Sequence, residues 1–124
     1  MQSMPMIAVR NVSASAEWYC RLLACQSDPV ADDFVRLRHE DRVLLLVHGR
    51  GAEEHGAWEP IARGRVGDGF LLWILTEDFD GVYGRARSLG AEILVEPHRN
   101  ADDEGREFTL RDPDGYAIAI SECS

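Results

Sequence analysis

The groups in this 124-residue chain that could hold a metal, move a proton or attack a substrate are four histidines, three cysteines and 22 carboxylates. Their spacing narrows the options. His48 closes an apolar run and His55 follows seven residues later. On one reading they contact a ligand or act as a proton-transfer pair; on the other they are solvated loop histidines. His48-x6-His55 is not a zinc spacing, and two histidines alone do not complete a metal site. His39 falls in a turn and His98 follows Glu96-Pro97 in a loop, so both read as exposed. Glu107 either meets a basic group on a ligand or pairs with Arg106 or Arg111. Cys20, Cys25 and Cys123 are odd in number and lack a CxxC pair, which fits reduced thiols in the cytoplasm rather than a disulfide scaffold. Cys20 lies on a helix, with no cation nearby in sequence to activate it. A Gly-x-Ser-x-Gly elbow, a nucleotide fingerprint and a Cys/His cluster are all missing.

Charge excludes further classes. All 13 basic residues are arginine, so no lysine can form a Schiff base or grip phosphate in a P-loop. The formal charge of −9 opposes binding to a nucleic-acid backbone and suits neutral or cationic partners. The runs Glu53-Glu54 and Asp102-Asp103-Glu104 read as solvated surface that can also steer cations. The longest apolar runs, Val43–Val47 and Phe70–Leu75, are too short to cross a bilayer. Neither a membrane segment nor a signal peptide is read, so a cytoplasmic protein is expected.

Several elements can position these groups. Pro5–Arg10 reads as a strand. Ser13 is a candidate cap for a helix reaching Leu23, with Ala16, Tyr19, Leu22 and Leu23 on one stripe. Phe34–Arg38 and Val43–Val47 read as strands. Residues 49–69 are glycine-rich and aperiodic, a connection between halves. Phe70–Leu75 is then a strand, and Asp78 caps a helix carrying Phe79, Val82, Tyr83 and Ala86, with Gly90 at its end. Ala91–Val95, Arg106–Arg111 and Tyr116–Ser121 follow as strands, the last two joined by the type I turn Asp112-Pro113-Asp114-Gly115. The helix openings Asn11-Val12 and Asp78-Phe79 lie 67 residues apart. The expected architecture is α+β in a single domain, 1–124: module one about 4–48, the connection about 49–69, and module two about 70–122. Each module is a βαβββ unit. Paired, they form a concave mixed sheet with the helices outside and a cleft on the open side.

The chain resembles the vicinal oxygen chelate superfamily, which includes glyoxalase I, extradiol dioxygenases and bleomycin-resistance proteins. Three motifs carry the resemblance. The first is Val9-x-Asn11-Val12-x-x-Ser15-x-x-Trp18-Tyr19-x-x-Leu22-Leu23. The second is Glu77-Asp78-Phe79-Asp80 with Leu89-Gly90-Ala91. The third is Phe108-Thr109-Leu110-Arg111-Asp112-Pro113-Asp114-Gly115-Tyr116. It implies the glyoxalase/bleomycin-resistance fold, a homodimer, and four strand positions that hold a metal in the family. By motif distance these fall at Met4, Leu45, Leu71 and Ala119, and all four are apolar here. No metal and no other cofactor is therefore expected.

If those positions face inward, the cleft candidates are Met6, Leu45, Val47, Leu71, Trp73 and Ala119. His48 and Glu107 stand at its margin, and His55 and Trp58 in the connection that could cover its mouth. Trp73 is either a pocket wall, offering stacking or cation–π contacts, or simply core. The resemblance points to a binding protein for a small neutral or cationic organic molecule. The alternative is a lyase or glyoxalase-type enzyme with a relocated or absent metal.

Overall fold

Residues 2–49, 70–99 and 105–123 are described by the computed structural model, in which the chain divides into two compact units, Met1–Val66 and Gly67–Ser124. In the first, β1 (Met6–Val9) leads into helix α1 (Val12–Leu23), then β2 (Gln26–Ala31), β3 (Phe34–His39) and β4 (Arg42–Gly49). The sheet order is β1-β4-β3-β2, with β1 parallel to β4 and the other pairs antiparallel. The second unit repeats the scheme: β5 (Leu71–Thr76), α2 (Phe79–Ser88), β6 (Glu92–Arg99), β7 (Arg106–Arg111) and β8 (Ala117–Glu122), in the order β5-β8-β7-β6. The fold is α+β, two four-stranded mixed sheets with a helix each.

Local chemistry sets the helix boundaries. Asn11, not Ser13, caps α1: its backbone is extended and its Oδ1 accepts the Ala14 amide at 2.9 Å. Asp78 caps α2 by accepting from Gly81, and its own amide donates to Thr76 Oγ1 at 2.9 Å. α2 ends in a Schellman pair, Ala91 N–H to Ala86 O and Gly90 N–H to Arg87 O, both at 3.1 Å, with Gly90 at φ 69°. One strand was not legible. β2 is polar, exposed and contains Pro29, a composition tolerated only because it is an edge strand. β6 runs past the expected Val95 to Arg99, so His98 stands on a strand rather than in a loop, though exposed as expected.

The largest buried apolar side chains gather on one face of each sheet. In the first unit Ile7, Val9, Leu37, Leu45 and Val47 are almost wholly enclosed, as are Tyr19 and Leu22 of α1. In the second, Phe108 meets Phe79 and Tyr83 of α2 edge-on, with ring centroids 5.5 and 5.1 Å away, and Leu110, Ile118 and Ile120 are fully buried. Among the described residues, no helix is long and apolar enough to cross a membrane.

Where α1 ends, Ala24 turns left-handed at φ 53° and the Cys25 amide bonds Cys20 O at 3.3 Å. The Cys25 Sγ lies 3.9 Å from Cys20 Sγ, and burial first, then Cys20, push its pKa up to about 12. Cys25 therefore stays protonated at pH 8. Iodoacetamide is expected to label it at least about tenfold more slowly than exposed Cys123, read by peptide mass mapping. An unfolded thiol ionises near pH 8.5–9 while the folded one keeps its proton, so stability falls as pH rises from about 9 towards 12. Equal labelling of the two cysteines would overturn this account.

Candidate functional site

Alternation along β5 sends Leu72 beneath the sheet and leaves Leu71, Trp73 and Leu75 on the open face, 55%, 56% and 56% exposed. Across β8 their register partners are Ala117, Ala119 and Ser121, and on β7 these meet Arg111, Thr109 and Glu107. The alanines beside Trp73 are small, so the indole is not walled in. Trp73 is thus not core, and the reading that buries it is corrected.

The indole is nevertheless held. Trp73 Nε1–H donates to Ser121 Oγ at 2.7 Å, and Ser121 O–H donates to Glu107 Oε1 at 2.6 Å. This chain of two bonds crosses three strands and fixes the indole in one orientation. Glu107 pairs with neither arginine that sequence proximity offered. Arg106 bonds Asp80 at 2.9 Å and Glu122 at 2.8 Å, holding the Glu122 carboxyl below its usual range, and lies 4.5 Å above the Phe79 ring. Arg111 donates to Gly115 O at 2.7 Å and faces Glu92 at 3.6 Å. No local sequence motif marks Ser121. The signal for its role is a hydroxyl in register with both Trp73's strand and Glu107.

The turn between β7 and β8 keeps Glu107 opposite Ser121. Buried Asp112 accepts the Asp114 and Tyr116 amides on Oδ1 at 2.9 and 2.8 Å, and its carbonyl accepts Gly115 N–H at 3.0 Å. The Arg111-Asp112 pair stabilises the turn, as its place in the motif suggested.

In the first unit the expected lining needs correction. Leu45 and Val47, 1% and 0% exposed, lie on the covered face with Ile7 and Leu37. Met6 is paired with Leu46 and Ala8 with His48, so Met6 and His48 share the opposite face. A one-residue difference in parity separates the two sets. The repeat makes the same point: Met6 opposite Leu46 corresponds to Trp73 opposite Ala119, so Leu46 rather than Leu45 is the metal-position counterpart. His48 is no solvated loop residue. It is 3% exposed, 5.3 Å from the Phe34 ring, with Nδ1 3.0 Å from Gly49 O. A carbonyl can only accept, so in this contact Nδ1 is the donor. His55 and Trp58 lie outside the described residues.

The metal that the resemblance implies does not fit these positions. Met4, Leu46, Leu71 and Ala119 offer one thioether and no nitrogen or oxygen donor. Among the described residues no three His, Cys, Asp or Glu side chains converge. No chemical step is routed through a metal here.

A family model described as Glyoxalase/Bleomycin resistance protein/Dioxygenase superfamily matches residues 3–120. Among solved structures, a family enzyme of that description from Burkholderia phytofirmans PsJN superposes with a TM-score of 0.81 at 17% identity, covering 97% of this chain and 96% of that one. A protein of unknown function from Agrobacterium tumefaciens strain C58 gives 0.75 at 25% identity, covering 100% and 95%. An integron cassette protein from V. cholerae gives 0.73 at 21%, covering 100% and 97%. No curated protein matches.

Proposed function

We propose that this chain, which belongs to the Glyoxalase/Bleomycin resistance protein/Dioxygenase superfamily, binds a small organic molecule, neutral or cationic, on the open face of β5, β8 and β7, without a metal. One observation carries the reading: an indole half exposed among leucines and alanines, yet locked in orientation by its bond to Ser121. An exposed aromatic held in place is a stacking surface that loses little freedom when a flat ligand arrives. The unpaired cysteines fit a cytoplasmic protein, and the family resemblance implies a homodimer.

The test is calorimetric titration with two flat bicyclic probes at pH 8, neutral 4-methylquinoline and cationic N-methylquinolinium. Trp73→Ala is expected to weaken binding of the better probe by about tenfold or more, equivalent to about 1.4 kcal/mol of stacking, while the melting temperature stays within about 2 °C. Binding unchanged by Trp73→Ala would sink the reading. Chemical turnover of a bound compound that disappears in Glu107→Gln would favour the alternative, a lyase or glyoxalase-type enzyme without the family metal site.

A further inference from the structure

We infer that the Trp73 face selects organic cations, with Glu107 as the group that recognises the charge; this rests on the binding reading above and makes it specific.

Trp73 spends its one N–H on Ser121, and Ser121 spends its one O–H on Glu107. Each proton in the chain points towards the carboxylate. What this chain of bonds leaves for a ligand is acceptor only: the π-face of the exposed indole and the second oxygen of Glu107, Ser121 itself being buried. A neutral ligand that must accept a hydrogen bond finds no donor in these two groups. A cation finds a quadrupole and a carboxylate on the same patch.

Among the described residues Glu107 makes no ion pair, since Arg106 is committed to Asp80 and Glu122. His98, opposite Glu107 on β6, has Nδ1 at 3.0 Å from Glu96 O and makes no ion pair with Glu107. Arg111, the one cation at the other end of the same β7 row, is occupied by Gly115 O and faced by Glu92. Thr109 is the remaining polar side chain between them. Beside Trp73 the exposed Leu71 and Leu75 suit the hydrocarbon body of the ligand. The ligand class is therefore a flat or compact apolar body bearing an ammonium or quaternised nitrogen. The net charge of −9 favours its approach.

The experiment uses the same two probes, which match in size and differ in charge, at pH 8. N-methylquinolinium is expected to bind the full chain about tenfold or more tighter than 4-methylquinoline. The gap should shrink as sodium chloride rises from 0.05 to 0.5 M. Glu107→Gln keeps an oxygen that can accept from Ser121 but removes the charge, so it should weaken N-methylquinolinium and close most of the gap. If both probes bind equally and both weaken in Trp73→Ala, the site stands and the cation preference is overturned. If neither probe binds, or Trp73→Ala changes nothing, the site itself fails and the preference with it. A gap that is insensitive to both salt and Glu107→Gln would assign charge recognition elsewhere and overturn the inference.

Discussion

Asp112→Ala should destabilise the protein by about 2–4 kcal/mol, seen as a fall in melting temperature of roughly 8–15 °C for a chain of this size. The Asp112 carboxylate is buried and its Oδ1 takes two backbone amides, from Asp114 and from buried Tyr116. Alanine leaves both donors without that partner, and an unpaired amide out of water costs about 1–3 kcal/mol. Asp112→Asn keeps a carbonyl in the same place and loses only the charge assistance, so about 1 kcal/mol is expected. The comparison matters more than either value. If Asn and Ala cost the same, the amide contacts are not what holds the turn; if Ala lies within 0.5 kcal/mol of the parent, the turn does not depend on Asp112. Since this turn sets Glu107 opposite Ser121, the alanine variant should also blunt ligand binding when assayed well below its melting temperature.

A second large loss is expected one strand away. Phe108→Ala should cost about 3–5 kcal/mol and Phe108→Leu about 1–1.5 kcal/mol, measured by urea unfolding. Phe108 is fully buried between the rings of Phe79 and Tyr83, the contacts that hold α2 on its sheet. Against a typical total of about 5–15 kcal/mol, alanine removes a large share of what stabilises a domain. The residue is also the reason Glu107 faces outward. With Phe108 anchored beneath the sheet, alternation sends its neighbours Glu107 and Thr109 to the open face. A cost below about 1.5 kcal/mol for alanine would mean that α2 repacks and that this anchor is not needed.

Some of this was readable from residues alone because it was written locally. The Asp78 cap, the Gly90 terminator and the Asp-Pro-Asp-Gly turn each depend on a few adjacent residues with particular backbone or hydrogen-bond chemistry, and each stands where expected. The site is different because it depends on parity. Val43–Val47 and Leu71–Leu75 are apolar without alternation, so composition does not say which residues lie beneath the sheet. In β4 that ambiguity put Leu45 and Val47 on the wrong face. In β5 it left Trp73 open to two readings until its exposure and its bond to Ser121 decided between them. Glu107 was ambiguous for another reason: two arginines close in sequence were available, and only the structure shows both engaged elsewhere. β2 went unread because an edge strand need not look like one.

That edge strand has a counterpart with a shared consequence. β2 and β6 each close one side of their sheet, each contains a proline, Pro29 or Pro97, and each shifts register beside it. A proline presents no amide to an incoming chain, and a shifted register breaks the even ladder that an added strand would copy. Both sheets are thereby discouraged from growing at those ends. Resistance to strand-by-strand aggregation is built into the same polar, irregular segments that are hardest to recognise as structure, and replacing either proline with a β-branched residue would remove part of that protection.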